Sequence, residues 1–485
     1  MKISATLFIV FLSFAVCQCS RPAPESVLYQ RLKPCGAEGL DSTVLCGTLS
    51  VFENTKTKSG RKIDLKIVVV PAIHRHPTNA PIFYFEGGPG VSVTGGASFY
   101  ADSINYYRID HDVVLVDVRG TGGSNPLHCR QTQFKKDLAQ QFDEMYPVSA
   151  VKACYDSLSQ RADLTQYTTT NMAMDIEEVR QWLGYGKIKL FGVSFGTRLA
   201  QVYMKMYPES VASCVLWSPT TTYSKLPLYH AQFAEESLHK MFADCKSDSL
   251  CHLNFPRIDE EFADLMKKGR EKPFAYSFKR PNGESQDVTI PWHAFQTKIR
   301  SLMYAPLGLR QLPYIIHQSY LNNWQPFLSL FPNKPSMDYF IADGLYLCVT
   351  CADDVPFISK QEADSLTRNT FMGDYRVRQQ QQACSQWARG SVPDGYFDPL
   401  VSTTPTLVFS GYFDPVTPPS MAQQIIKTLP NSFLVTIPTM SHTFDGLSKP
   451  ECFDKMVVDF FNTPGTQPNG DCIAEMLPEA YKTKE

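Results

Sequence analysis

One stretch restricts this chain more than any other: Leu190-Phe191-Gly192-Val193-Ser194-Phe195-Gly196-Thr197. An apolar run from Lys187 to Phe191 has the length of a buried strand, and Arg198 to Tyr207 has an amphipathic helical pattern. Between them stands Gly192-x-Ser194-x-Gly196. Two glycines let a strand and a helix approach around a strained turn, and that turn presents the serine hydroxyl at the edge of the fold. A chain built around such a turn needs a sheet that ends there and a helix packed behind it.

The flanking sequence supplies both. Cys46 to Phe52 and Ile63 to Val70 read as a hairpin joined by the turn-rich Asn54 to Arg61. Pro81 to Phe85 and Val113 to Val116 read as buried strands, ending in Glu86-Gly87-Gly88-Pro89-Gly90 and in Asp117-Val118-Arg119-Gly120-Thr121-Gly122-Gly123-Ser124. Ile176, Val179 and Leu183 lie on one face of a helix that leads into the Ser194 strand, and Val211 to Leu216 is the next strand. Strands alternating with helices predict a mostly parallel sheet flanked by helices, the α/β class. From residue 222 to 399 the rhythm gives way to helical patterns (Ala231 to Phe242, Glu260 to Lys268) and an aromatic-rich stretch around Tyr304, Tyr314, Tyr320 and Trp324, read as cap core. The sheet pattern resumes at Thr406 to Phe409 and Phe433 to Ile437, followed by a helix from Cys452 to Phe461. The expected organisation is a leader at 1–20, a first core segment at 21–221, a mainly helical cap at 222–399 and a second core segment at 400–485.

Lys2, the short apolar run Thr6 to Val16 and the small residues that follow predict a secretory signal peptide, placing the protein outside the cytoplasm, secreted or periplasmic. The alternative is a lipoprotein anchored through Cys17 or Cys19. No later stretch has the length of a membrane span. Without the leader, 12 of the 14 cysteines are left, an even number suited to disulfides in an exported chain. Four local pairs suggest themselves: Cys35/Cys46, Cys129/Cys154, Cys245/Cys251 and Cys452/Cys472. Cys351 is assigned to Cys384, leaving Cys214 and Cys348 as buried thiols. Cys348-Val349-Thr350-Cys351 has no second CxxC or nearby His pair to support zinc. A net charge of -2 gives no basic footprint for nucleic acid.

A serine hydroxyl becomes a nucleophile when a histidine takes its proton, and a carboxylate must hold that histidine in the right tautomer. On a sheet of this kind the expected chain order is Ser, then acid, then His. Of the histidines after Ser194, only His442 follows the resumed sheet; His230, His239, His252, His293 and His317 fall in the insertion and read as surface or packing residues. Asp414 follows the Thr406 strand and precedes Thr417-Pro418, whereas its twin Asp398 precedes the strand and Asp445 is too close to His442. The oxyanion hole would use the Phe195 N–H together with the loop glycines Gly87 and Gly88.

Glu86-Gly-Gly-Pro-Gly90, Asp117-x-Arg119-Gly-x-Gly122 with Ser124, Gly192-x-Ser-Phe-Gly196, Gly411-x-x-Asp414-x-x-Thr-Pro418 and His442 occur in that order. Together they resemble the motifs of the proline iminopeptidase and tripeptidyl aminopeptidase family of α/β-hydrolases. Cys351-Ala-Asp-Asp354, Cys384-x-x-Trp387 and the large cap resemble its secreted tripeptidyl aminopeptidase branch. The resemblance implies an α/β-hydrolase fold, Ser194 as nucleophile, His442 as base and Asp414 as its orienter. It also implies release of short pieces from peptides with a free N-terminus, with no metal or organic cofactor. Three departures stand against single-residue proline release: Glu86 where the family usually has His, Val118 in place of Gln, and no glycines flanking His442. Recognition of an ammonium terminus calls for carboxylates, and Glu86, Asp353 and Asp354 are the candidates; Asp117 and Arg119 read as loop braces. Two other readings fit the same fold: a secreted esterase or lipase, and an inactive binding protein, against which the intact Ser194, Asp414 and His442 argue.

Overall fold

The computed structural model describes residues 24–484 apart from 36–42, 75, 77–78, 103–104, 130–136, 281–282 and 332–340. The expected leader at 1–20, and with it the choice between signal peptide and lipidation, lies outside the described residues. Eleven strands follow in chain order: β1 (Lys33–Pro34), β2 (Leu45–Phe52), β3 (Lys62–Val70), β4 (Ile82–Phe85), β5 (Val113–Val116), β6 (Ile188–Val193), β7 (Val211–Trp217), β8 (Phe274–Lys279), β9 (Ser285–Ile290), β10 (Thr406–Gly411) and β11 (Ser432–Ile437). Nine of them form one sheet in the order β1-β2-β3-β5-β4-β6-β7-β10-β11. The pairs β1–β2, β2–β3 and β3–β5 are antiparallel, and every pair from β5 through β11 is parallel.

Burial explains which strands take which place. Val113-Val114-Leu115-Val116 is buried along its whole length, as a central parallel strand covered on both faces must be. Lys62–Val70 alternates exposed and buried residues over its first half, as suits an antiparallel strand with one wet face. From β4 the chain crosses to one side for β5 and then to the other side for β6. Such a switch opens a crevice at the carboxyl ends of the strands, where open α/β sheets bind ligands. The register brings those ends level: Phe85 pairs with Gly192, Trp217 with both Val193 and Phe409, and Gly411 with Ile437.

The insertion between β7 and β10 is mainly helical, its longest helix being His230–Ser247. It also holds an antiparallel hairpin, β8–β9, that the helical expectation missed. The cap has its own apolar core around Phe262, Phe295, Tyr314, Trp324 and Phe327. The helix Asp343–Asp353 departs from the expected boundary, because Leu345, Leu347 and Cys348 pack with Leu127 and Leu158 in the core of the sheet domain. Disulfides join Cys35–Cys46, Cys129–Cys154, Cys245–Cys251, Cys351–Cys384 and Cys452–Cys472, while Cys214 and Cys348 are buried free thiols. Among the described residues no helix is long and apolar enough to cross a membrane.

Candidate active site

Ser194 sits between β6 and the helix Phe195–Met206 with φ 52° and ψ −119°, a backbone conformation that a serine adopts only when its surroundings enforce it. The enforcing contacts are close. The Ser194 N–H donates to Trp217 O at 2.9 Å, and Ser194 O accepts from Thr197 N at 3.0 Å. A Cβ on Gly196 would lie 2.1 Å from Phe85 O, and one on Gly192 would lie 2.6 Å from Gly196 O. Strand, helix and the end of β4 therefore meet with no room for side chains.

Asp414 leaves the end of β10 and is buried. Its Oδ1 accepts from Val416 N at 2.7 Å and from Thr417 N at 2.9 Å; its Oδ2 lies 2.8 Å from His442 Nδ1. Burial alone would raise this carboxyl, but the charge and hydrogen bond of His442 and the two N–H groups outweigh it and hold Asp414 below the ordinary carboxylate range. An ionised Asp414 keeps the proton of a neutral His442 on Nδ1, so Nε2 carries the lone pair that a general base requires. The Thr417 hydroxyl lies 2.8 Å from Asp414 Oδ2 and 2.9 Å from Ser218 O, and having one proton it donates to one of them at a time.

The Glu86–Gly90 loop closes over the elbow: a Cβ on Gly87 would be 3.0 Å from Ser194 Cβ and 3.5 Å from its Oγ. The Gly87 N–H, expected to be an oxyanion donor, is instead turned to Glu86 Oε1 at 2.9 Å. Of the three expected donors, Gly88 and Phe195 are left with N–H groups that have no partner among the described residues. Glu86 is half-buried, and its Oε2 accepts from Tyr84 Oη at 2.6 Å.

The cap carboxylates need correcting. Asp353 and Asp354 are fully buried, so neither can meet a substrate ammonium. Asp354 pairs with Arg198 at 2.8 Å and accepts from Leu226 N, and Asp353 accepts from Thr169 and Tyr396. They tie the helix Asp343–Asp353 to the sheet domain. Asp117 accepts from Val93 N, Thr94 N and Gly123 N, and Arg119 forms a bidentate pair with Asp175 with both distances 2.6 Å.

Four residues at the site escaped the sequence reading. Ser218, Thr417 and Tyr304 contact His442, and His230 lies within range of its charge. The Tyr304 ring stands edge-on to the His442 ring with centroids 5.2 Å apart, and Thr443 N donates to Tyr304 O. His230, read as a packing residue, is buried within range of the His442 charge. Thr417 was visible in the Asp414-x-x-Thr-Pro pattern but was taken only as a helix start; Ser218 was visible as a polar residue just past a strand. Tyr304 was read as cap core and His230 as a surface or packing residue. A cavity of about 630 Å³ opens on the cap beside Arg270, Trp292 and Tyr375, and no candidate triad residue lines it. Among the described residues no group of His, Cys, Asp and Glu could hold a metal ion.

A parallel sheet with a serine elbow after β6, an acid after β10 and a histidine after β11 defines the α/β-hydrolase fold, and this chain has that fold. Residues 80–253 match the α/β hydrolase fold, and residues 369–472 match the family described as TAP-like protein. The chain is 27% identical over 275 residues to the tripeptidyl aminopeptidase of Streptomyces lividans, covering 49% of each chain. It is 22% identical over 475 residues to serine protease Hip1 of Mycobacterium tuberculosis, covering 88% of this chain and 86% of that one. It is 28% identical over 142 residues to the proline iminopeptidase of Neisseria gonorrhoeae, covering 29% and 33%. The match thus spans about half the length of the tripeptidyl aminopeptidase and most of Hip1.

Proposed function

We propose that this hydrolase is an exported serine exopeptidase that cuts peptides near a free N-terminus, with Ser194, His442 and Asp414 as its triad. The observation that carries the reading is the 2.8 Å contact between a buried Asp414 and His442 Nδ1, at the sheet edge where the Ser194 turn is held open. In this mechanism His442 Nε2 takes the Ser194 proton as Oγ attacks the scissile carbonyl. The oxyanion forms against the Gly88 and Phe195 N–H groups, each contributing about 3 kcal/mol of transition-state stabilisation. His442 then passes its proton to the leaving amine, and water, activated the same way, releases the acyl group from Ser194.

The peptide assignment draws on the relatives, which are named as peptidases. Glu86 is the remaining candidate for holding the ammonium terminus, since it is half-buried next to the oxyanion loop. The five disulfides suit an oxidising compartment.

The test compares the chain lacking residues 1–20 with its Ser194→Ala variant on three substrate sets. These are peptides with a free N-terminus, the same peptides N-acetylated, and p-nitrophenyl esters. Cleavage of the free set alone, lost in the variant, is the expected result, and product masses give the number of residues released. Ester turnover without peptide cleavage would replace the peptidase reading by the esterase one.

A further inference from the structure

Several arginines of this protein are held by carboxylates. Arg119 is held by Asp175, Arg198 by Asp354 and Arg180 by Glu177. Two half-buried arginines of the cap, Arg300 and Arg376, have no carboxylate partner among the described residues, and Arg300 reaches the candidate active site through Tyr304. Arg300 stacks on Tyr304 at 5.2 Å, and Tyr304 is the residue whose ring meets His442. Arg376 lies over the rings of Tyr146 and Tyr346; its Nη2 donates to Tyr346 Oη at 2.8 Å and its Nη1 to Met145 Sδ, leaving Nε without a partner. The Nε and Nη2 of Arg300 and the Nε of Arg376 are shielded from water with no hydrogen-bond partner, and among the described residues neither arginine is paired with a carboxylate. The Nδ1 of His230, which is 6% exposed, is also without a partner.

Unpaired buried N–H groups of a guanidinium are expensive, and native structures keep them where something else binds. A guanidinium presents a planar fork that matches a carboxylate. The half-buried rings of Tyr304, Tyr146 and Tyr346 stack on the two guanidiniums and hold them in place. We propose that Arg300 and Arg376, with His230 beside them, form a carboxylate-binding subsite next to His442. The enzyme is then selective for peptides that place a carboxylate close to the scissile bond. The carboxylate comes from an acidic side chain or from the C-terminus of a short peptide.

The site's electrostatics point the same way. His230 is held well below the usual histidine range, first by burial and then by the charges of Arg300, Arg376 and His442. During the reaction His442 becomes a cation across the Tyr304 ring from the Arg300 guanidinium. A substrate carboxylate at the arginines offsets that repulsion and lowers the barrier, whereas a lysine there adds to it.

This inference rests on the exopeptidase reading, and the experiment separates the two. Peptides with a free N-terminus are varied one position at a time among Glu, Gln, Asp, Asn and Lys, and each short peptide is made as free acid and as amide. At one position kcat/KM for Glu or Asp is expected to exceed that for Gln or Asn by about 10- to 100-fold, with Lys lowest. If the terminal carboxylate is the ligand, the free acid exceeds the amide by a similar factor instead. In Arg300→Gln and Arg376→Gln the acid-to-amide ratio falls towards one. The ratio is taken within each preparation, so a partly folded variant does not disturb it.

A second readout does not need peptide cleavage: the rate at which Ser194 reacts with a fluorophosphonate, and its slowing by the Glu peptide compared with the Gln peptide. No acid preference in turnover or in protection would overturn the subsite. Selective protection by Glu peptides that are never cleaved would keep the subsite and remove the exopeptidase assignment.

Discussion

Ser218 Oγ donates a 2.8 Å hydrogen bond to the backbone carbonyl of His442. Ser218 itself, with φ 47°, donates its N–H to Phe409 O and offers its own carbonyl to Thr417 Oγ1. One buried serine thus joins the ends of β7 and β10 to the loops of Asp414 and His442. Ser218→Ala removes the donor and leaves a buried carbonyl without its partner, a loss of about 1–3 kcal/mol in stability. If Ser218 positions His442, kcat falls about 10- to 100-fold with KM unchanged, because a small displacement of the base acts on the chemical step. Steady-state kinetics and a pH–rate profile of the variant check this. A lowered melting temperature with unaltered kcat would reduce Ser218 to a purely structural role.

Asp414→Asn separates two consequences of one carboxylate. In the reaction, an amide can donate to Nδ1 and stabilise the wrong tautomer, and kcat is expected to fall by about 10⁴. In stability the effect depends on pH. Because the folded chain holds this carboxyl below its ordinary value, folding favours the ionised form, and that contribution is complete above the unfolded value near 4. It is lost as pH falls through the folded value. The melting-temperature gap between wild type and Asp414→Asn should therefore narrow between about pH 6 and about pH 3. A gap that stays constant across that range would contradict the depressed carboxyl.

Most of the sheet was legible because its strands carry their own signal. Val113–Val116 is apolar enough to be central, and the glycines around Ser194 fit only a crowded turn. Chain order alone singles out Asp414 and His442 as the proposed acid and base, since a parallel sheet brings the ends of β6, β10 and β11 to one edge whatever lies between. What stayed hidden depends on packing between distant segments. Asp353 and Asp354 look like solvent-facing acids in sequence, yet Arg198, 156 residues away from Asp354, draws that residue inside. Gly87 looks like a free donor until the neighbouring Glu86 side chain folds back onto it. Tyr304, from the middle of the cap, meets the His442 ring only because the cap folds over it. The β8–β9 hairpin was missed for a different reason, as its exposed positions break up the apolar run that marks a strand.

The cysteine pattern makes a prediction that needs no substrate. Among the described residues ten cysteines are in disulfides and two, Cys214 and Cys348, are free and fully shielded. Burial pushes the Cys348 thiol up to about 12, and Cys214 is raised as well, so neither presents a thiolate at neutral pH. The chain without residues 1–20 should show no reaction with Ellman's reagent when folded and two thiols when denatured without reductant. Thiols that react in the folded protein, or a count other than two, would refute this pairing.

The turn around Ser194 can be tested at a residue that touches no substrate. An added Cβ at Gly196 would lie 2.1 Å from Phe85 O, 2.6 Å from Phe85 C and 2.9 Å from Glu86 O. All three atoms are backbone at the end of β4, so no rotamer change relieves the clash, and the helix or the strand end must move. Either movement shifts the Phe195 N–H relative to the loop that carries Gly88. Gly196→Ala is therefore expected to lower stability by about 1–3 kcal/mol and to lower kcat/KM by about 100-fold or more. Gly186→Ala is the control, since its Cβ would meet nothing within 4 Å, and it should stay within about 0.5 kcal/mol of wild type. Thermal melts and ester or peptide turnover of both variants give the comparison. A Gly196→Ala enzyme as stable and as active as the control would mean that the elbow is looser than its contacts require.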